Sequence, residues 1–147
     1  MEHVPANFEA IAPAAEEQIK NIIKQAPYPK FLGLYFEEVR KDYARMRLPY
    51  RPELNQPAGI VHGGALASLI DTAVVGAIFS NVGETFPKRI VTIDMHIHYM
   101  GAVTEKDVIC HASVRRRGRS IVFLQTEAVD EDGKAVAHGE LSYMLQA

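Results

Sequence analysis

The spacing of apolar residues changes several times along the chain. From Pro13 onward Ile19, Ile22, Ile23 and Ala26 recur at helical spacing, and Pro13 with Glu16 and Glu17 marks a helix start, because carboxylates suit the positive end of the dipole. Pro27 and Pro29 are expected to end this helix before a short helical turn at Phe31-Leu32-Gly33-Leu34. The period then drops to two. Tyr35, Phe36 and Val39 are followed by Ala44, Met46 and Leu48 alternating with Tyr43, Arg45 and Arg47, which reads as two strands with a hairpin at Lys41-Asp42. Pro49, Pro52 and Pro57 then allow neither element, so Tyr50 to Ala58 is expected to be an ordered loop.

Between Gly59 and Ser80 the pattern has no polar face, and Asp71 is its one charge. A surface helix shows a single apolar stripe, so this segment must be wrapped by other structure. Its length approaches the roughly 20 residues of a membrane span. However, an acid at mid-span costs about 2.5–3.5 kcal/mol on insertion, and the rest of the chain alternates like sheet, so a buried helix is expected and no membrane partner. His62-Gly63-Gly64 marks its start and Asn81-Val-Gly83 its stop. Arg89 to Met100 follows as a strand with Val91, Ile93, Met95, Ile97 and Tyr99 on one face. Thr92, Asp94, His96 and His98 lie on the other unless a bulge switches the faces. Val108–Arg116 and Ser120–Asp130 read as strands joined at Arg117-Gly118, and Asp132-Gly133 turns the chain into a last strand from Ala135 to Met144. The pattern predicts an α+β fold, in which an antiparallel sheet, its last four segments a meander, curls around one long helix.

Composition adds bounds. A chain of 147 residues with 48% hydrophobic content suits one domain, expected as a helical extension over 1–32 and a core over 33–147. The net charge of −2 removes any whole-molecule case for nucleic acid or an anionic membrane. The single cysteine, Cys110, excludes an internal disulfide framework and alternates with Val108, Ala112 and Val114 as a core residue. Met1-Glu-His-Val-Pro has neither a basic nor an apolar leader segment, so a cytoplasmic location is expected.

The stretch Gly59-Ile-Val-His62-Gly63-Gly64-Ala-Leu-Ala-Ser-Leu-Ile-Asp71 resembles the hotdog-fold thioesterases of the PaaI type. Val91-Thr92-Ile93-Asp94-Met95 before Tyr99-Met100, and Arg117-Gly118-Arg119, support the likeness, which covers roughly Gly33 to Met144. The resemblance implies a hotdog fold, active sites shared between two subunits, and hydrolysis of acyl-CoA thioesters with no cofactor. It places substrate contacts at Thr92, Asp94 and Tyr99, at Arg116, Arg117, Gly118, Arg119 and Ser120, and on the loop. There the family commonly carries an Asn six residues before the His, where this chain has Gln56, with Asn55 one place earlier.

The residues support that chemistry in their own right. Thioester hydrolysis needs donors for a developing oxyanion, and free amides at Gly63 and Gly64 offer them at the positive helix end. It also needs a base or nucleophile. A carboxylate among apolar neighbours is disfavoured in its charged form, which suits Asp71 to accept a proton near neutral pH. Eight residues at about 1.5 Å rise separate Gly63 from Asp71 by roughly 12 Å, so they cannot serve one carbonyl within one chain. If both act, the unit is at least a homodimer, expected to pair again as a dimer of dimers, a homotetramer. The alternatives are a buried Asp that is merely hydrogen-bonded at a subunit contact and a Gly pair that only packs closely. His62 either touches substrate or ties the loop.

Arg115-Arg116-Arg117-Gly118-Arg119 could hold CoA phosphates or form a solvated hairpin face, and without interleaved aromatics it does not point to nucleic acid. His96 and His98, with His111 or His138, are better explained as an exposed polar sheet face than as metal ligands. No nucleophile-elbow motif is present. A non-catalytic acyl-CoA binding or sensing protein and a hydroxyacyl thioester dehydratase are the competing functions on this fold. Leu34, Phe36, Leu54, Ile60, Val74, Val75, Ile78 and Phe79 are the expected candidates for an acyl pocket wall.

Overall fold

Helix α1 (Pro13–Gln25) carries Pro13 in its first turn and Glu16 near its dipole's positive end. The computed structural model describes residues 7–147, so the leader reading of the first five residues lies outside the described residues. Ile19 and Ile23 of α1 are buried, while Ile22 turns outward, so the apolar stripe is narrower than its sequence spacing suggests. Pro27 does not end helical structure. It opens α2 (Pro27–Leu32), where a residue with fixed φ and no N–H loses nothing at a first helical position, and Gly33 at φ 77° stops that helix.

The described residues then form a six-stranded antiparallel sheet. Its strands are β1 (Tyr35–Arg40), β2 (Tyr43–Leu48), β3 (Arg89–Tyr99), β4 (Val108–Arg117), β5 (Ile121–Asp130) and β6 (Ala135–Gln146), in the spatial order β1-β2-β4-β5-β6-β3. The expected four-segment meander is therefore corrected. β4, β5 and β6 are joined by tight turns at Gly118 and Gly133, but no such turn signal links Tyr99 to Val108, and β3 pairs instead with β6 at the far edge. The β1–β2 hairpin turns where its sequence suggests, with Asp42 at φ 63°.

Helix α3 (Gly63–Phe79) begins four residues later than the apolar run, because Gly59 to His62 belong to a hairpin-like loop bridged at Asn55 and Val61. It packs across β2 and β4, burying Leu66, Leu69, Ile70, Ala73, Val74 and Ile78. Gly76 permits the closest approach. A Cβ there would stand 2.6 Å from the Phe36 ring and 2.8 Å from the Ala44 Cβ, so any larger residue would push the helix off the sheet. The helix is not wrapped on every side: Ala67, Ser68, Asp71, Thr72 and Val75 are only half-buried. Leu34, Phe36, Leu54, Val74 and Ile78, named above as an acyl wall, are core residues packed against one another.

A bulge between Thr92 and Asp94 changes the faces of β3. Thr92 pairs with Tyr143 on the helix side, and beyond the bulge Met95, Ile97 and Tyr99 continue that side. Val91, Asp94, His96 and His98 lie on the outer face, so Thr92 and Val91 exchange the sides that strict alternation assigns them. No helix among the described residues is long and apolar enough to cross a membrane.

Candidate active site

Asp71 sits in the middle of α3 on its half-buried side, and its surroundings are more polar than the apolar helix sequence suggests. Thr92 Oγ1 donates to its Oδ1 at 2.8 Å, an arrangement that the β3 bulge makes possible. The Tyr143 hydroxyl, rising from β6, reaches the same Oδ1 at 2.5 Å and the Asp71 main-chain oxygen at 2.7 Å. Among the described residues Oδ2 receives no hydrogen bond. Burial, reinforced by the hydrogen bond to Asp71, pushes the Tyr143 phenol well above its ordinary range, so it remains a proton donor at any working pH. Tyr143 escaped the sequence reading, although a buried tyrosine must find a partner for its hydroxyl and the one charge of the facing helix was the obvious acceptor.

At the helix start, His62 is the N-cap. Its Nδ1 accepts from the Gly64 amide at 2.7 Å, so of the two amides expected to be free, that of Gly64 is already used. The Gly63 amide makes no hydrogen bond with a described residue and stays available at the positive end of the dipole. Tyr99 crosses from β3 to donate to Gly63 O at 2.9 Å, and its ring lies where a Cβ on Gly63 would make van der Waals contact at 3.4 Å. His62 also anchors the preceding loop, its amide donating to Leu54 O at 2.8 Å. Tyr28 of α2 and Ser68 of α3 share a hydrogen bond of 2.8 Å, which ties the N-terminal helices to this end of the site.

The loop residues are turned to structure. The Asn55 side-chain amide donates to Tyr50 OH at 2.9 Å, and its buried Oδ1 has no partner among the described residues. Gln56 Oε1 accepts from the Ala58 amide inside the turn.

Thr92, Tyr99, Gly63 and Asp71 are thus brought to one side of the molecule, whereas Asp94 is not. It points to the outer sheet face, where Ser142 Oγ donates to it. The arginines also separate. A second bulge, between Val114 and Arg116, leaves Arg116 exposed opposite Phe123, while Arg117 turns inward beside Val122. Arg117 Nη2 donates to Asp42 Oδ1 at 2.8 Å and to Ala77 O at 3.2 Å, capping the last carbonyls of α3, while its buried Nε and Nη1 have no partner among the described residues. With Gly118, Arg119 and Ser120 it lines an open cleft of ≈ 570 Å³ shared with Thr85 and Lys88. The Gly118 amide is used by the hairpin itself, donating to Ile121 O at 2.8 Å. Asp71 does not line this cleft.

The four strand histidines lie on the outer face. His96 and His98 face each other with Nε2 atoms 3.1 Å apart, His138 Nδ1 is 2.7 Å from Glu127, and His111 Nδ1 is 2.8 Å from Tyr43 OH. Cys110 is fully buried, and burial pushes its thiol far above the usual range.

Comparison with known proteins bears on the family and the fold. The sequence profile described as the Thioesterase superfamily matches residues 58–137, which include α3 with Asp71 and β3 with Thr92. The chain is 26% identical over 149 residues to the medium/long-chain acyl-CoA thioesterase YigI of Salmonella typhimurium, covering 89% of this chain and 96% of that one. A conserved protein of Pseudomonas aeruginosa has a similar solved structure, with TM-score 0.76, 32% identity, and coverage of 82% of this chain and 94% of that one. The PaaI protein of the Escherichia coli phenylacetic acid degradation operon superimposes with TM-score 0.77 at 19% identity, covering 86% and 89%, a likeness of fold.

Proposed function

From its place in the Thioesterase superfamily, to which this chain belongs, we propose that the protein hydrolyses acyl-CoA thioesters to a free acid and CoA. Asp71 Oδ2 serves the attack on the thioester carbonyl, by taking the proton of the attacking water or by attacking directly. The C–S bond then breaks and CoA leaves as the thiolate, which takes up the proton removed from water; after direct attack, water opens the anhydride formed with Asp71 and releases the acid. The Gly63 amide, at the positive end of α3, stabilises the carbonyl oxygen as it gains charge.

The observation that carries the proposal is an incomplete pairing. Among the described residues Asp71 presents one unpartnered carboxylate oxygen and the Gly63 amide has no acceptor, yet about 12 Å of helix separates them. Each therefore completes a site with its counterpart from a second chain. β3 is the surface suited to bring that chain, because it is an edge that no described residue pairs, between Asp71 and Gly63, touching both through Thr92 and Tyr99. The active unit is then a homodimer with two equivalent sites, which pairs further into a tetramer, in the cytoplasm. The cleft at Arg117 to Ser120, with Lys88, suits the phosphates of CoA, and the similarity to YigI favours a medium or long acyl chain over an aromatic one.

Release of free thiol from a panel of aliphatic and aromatic acyl-CoAs tests the reaction. Turnover of several aliphatic substrates is expected; binding without thiol release would identify an acyl-CoA sensor, and loss of water from 3-hydroxyacyl-CoA a dehydratase. Mixing Asp71→Asn chains with Gly63→Pro chains tests the shared site. Hybrid dimers hold one intact site and are expected to recover activity, and exchange without recovery would rule out the composite arrangement.

A further inference from the structure

Tyr143 makes an unusual set of contacts for a residue outside the helix it serves. It lies on β6, beneath α3, and is 4% exposed. Its one hydroxyl proton is shared between the main-chain oxygen and the Oδ1 of Asp71, so it grips backbone and carboxylate of the same residue at once. Thr92 adds a second donor to Oδ1 from the exposed edge strand β3. An aspartate on a helix can otherwise swing between rotamers.

We infer that Tyr143 is the positioning residue of Asp71: from the floor of the sheet it fixes the carboxylate rotamer, occupies Oδ1, and leaves Oδ2 as the atom presented to the thioester. This rests on the reading of Asp71 as the group that serves the attack. The hold is geometric, one hydroxyl donating to the Oδ1 and to the main-chain oxygen of the same residue. Tyr143 can do this throughout the working range because burial keeps the phenol protonated. Thr92 alone cannot replace it, since it sits on a strand of which no residue is buried.

The test is Tyr143→Phe, which keeps the ring in its buried place and removes only the hydroxyl. Turnover is expected to fall about 10-fold with little change in KM, as an interaction that orients a reacting group is lost. The acidic limb of the pH profile of kcat/KM should move up by about 0.5–1 pH unit, since the carboxylate loses a donor to its charged form. A purely structural role would lower stability and leave that limb in place. Incorporation of 3-fluorotyrosine at 143 keeps the fold contacts and strengthens the donor, and the limb should then move down. If Tyr143→Phe does not fold, the fluorinated protein decides alone, and an unmoved limb overturns the inference. Asp71→Asn separates the two ideas. An inactive Asp71→Asn with an unmoved limb in the Tyr143 variants removes Tyr143 and spares Asp71, whereas an active Asp71→Asn removes the reading of Asp71 and this inference with it.

Discussion

The two edges of the sheet are treated in opposite ways. At the β1 edge the chain covers itself: Glu16 Oε2 of α1 accepts from the Val39 amide at 2.8 Å, Lys20 Nζ donates to Glu37 O at 3.3 Å, and Ala10 bridges Arg40. Arg45 and Arg47 tie Glu37, Glu38 and Asp107 into a ladder of ion pairs beside it. At the β3 edge nothing of the kind occurs. No described residue pairs with its outer side, no residue of the strand is buried, and Ile93, Met95, Tyr99 and Met100 expose apolar surface. An edge of unpaired N–H and C=O groups beside apolar side chains invites another strand, and natural proteins normally cover or charge it. Among the described residues only the β1 edge is covered. The closed edge supports the fold, and the open edge is where Asp71, Thr92, Tyr99 and Gly63 gather. Within the proposed dimer that asymmetry places the chemistry where the second chain arrives.

The largest expected effect breaks the open side chemically. Asp71→Asn keeps both hydroxyl partners within reach of Oδ1 but removes the charge, and turnover should fall at least about 100-fold, the scale of losing a base or nucleophile. Circular dichroism and melting should stay near those of the parent; near-normal turnover by a folded variant would remove Asp71 from the mechanism. The next change breaks the edge itself. Ile93→Lys, at the bulge and 52% exposed, puts a charge where a second strand would lie. Sedimentation should shift toward the monomer and activity fall about 10-fold or more, since each site then lacks its partner's half. Glu16→Ala on the opposite edge is the control. It should cost about 1–2 kcal/mol by orphaning the Val39 amide, and leave the association state alone.

The closed side was the more legible of the two in the sequence. Alternation at Ala44, Met46 and Leu48 and the hairpin at Lys41-Asp42 each follow from one local rule and were found where the pattern put them, and the apolar run of α3 was found there apart from its first four residues. What the sequence concealed depends on contacts between distant segments. Strand order is one case, since β3 pairs with β6, its later neighbour, and no residue spacing encodes that choice. Bulges are another. One residue at Ile93 exchanges Thr92 and Val91 between faces, and another near Arg115 sends Arg116 outward and Arg117 inward, so a continuous basic cluster becomes two unrelated surfaces. At the site, Asp71 and the glycines stood out because a lone charge and two small residues are conspicuous in an apolar helix. Tyr143 did not, because its role exists only once strand and helix are packed, whereas His62 caps an amide two residues along the chain.

A smaller change tests how tightly the closed side is built. Gly76→Ala adds one methyl 2.6 Å from the Phe36 ring, backed by the Ala44 Cβ at 2.8 Å, and overpacking of this kind costs about 1–3 kcal/mol. The melting temperature should drop while the KM of the folded fraction stays unchanged, because the contact lies between α3 and the β1–β2 hairpin, away from Asp71. A rise in KM would mean that helix position on the closed side is transmitted to the open one.

The smallest effect separates the edges by pH. Burial alone would raise the Glu38 carboxyl, but hydrogen bonds and charge from Arg40 and Arg45 outweigh it and hold the carboxyl below its ordinary value of 4.5. A carboxylate whose folded value lies below its unfolded one adds stability that is fully present above pH 4.5 and is lost as the pH falls through the lowered folded value. Glu38→Gln should therefore melt lower than the parent at pH 7, by about 0.5–1 kcal/mol for a partly exposed ion pair, and the gap should close as the pH is brought down toward 3. Salt at pH 7 should narrow it in the same direction, since the pair is within reach of solvent ions. Activity at pH 7 should not change, because Glu38 bonds to Arg40 and Arg45 at the covered edge and has no contact with Asp71. A gap that persists at low pH would show that Glu38 contributes packing alone, and the ladder would then no longer explain why the β1 edge holds without a second chain.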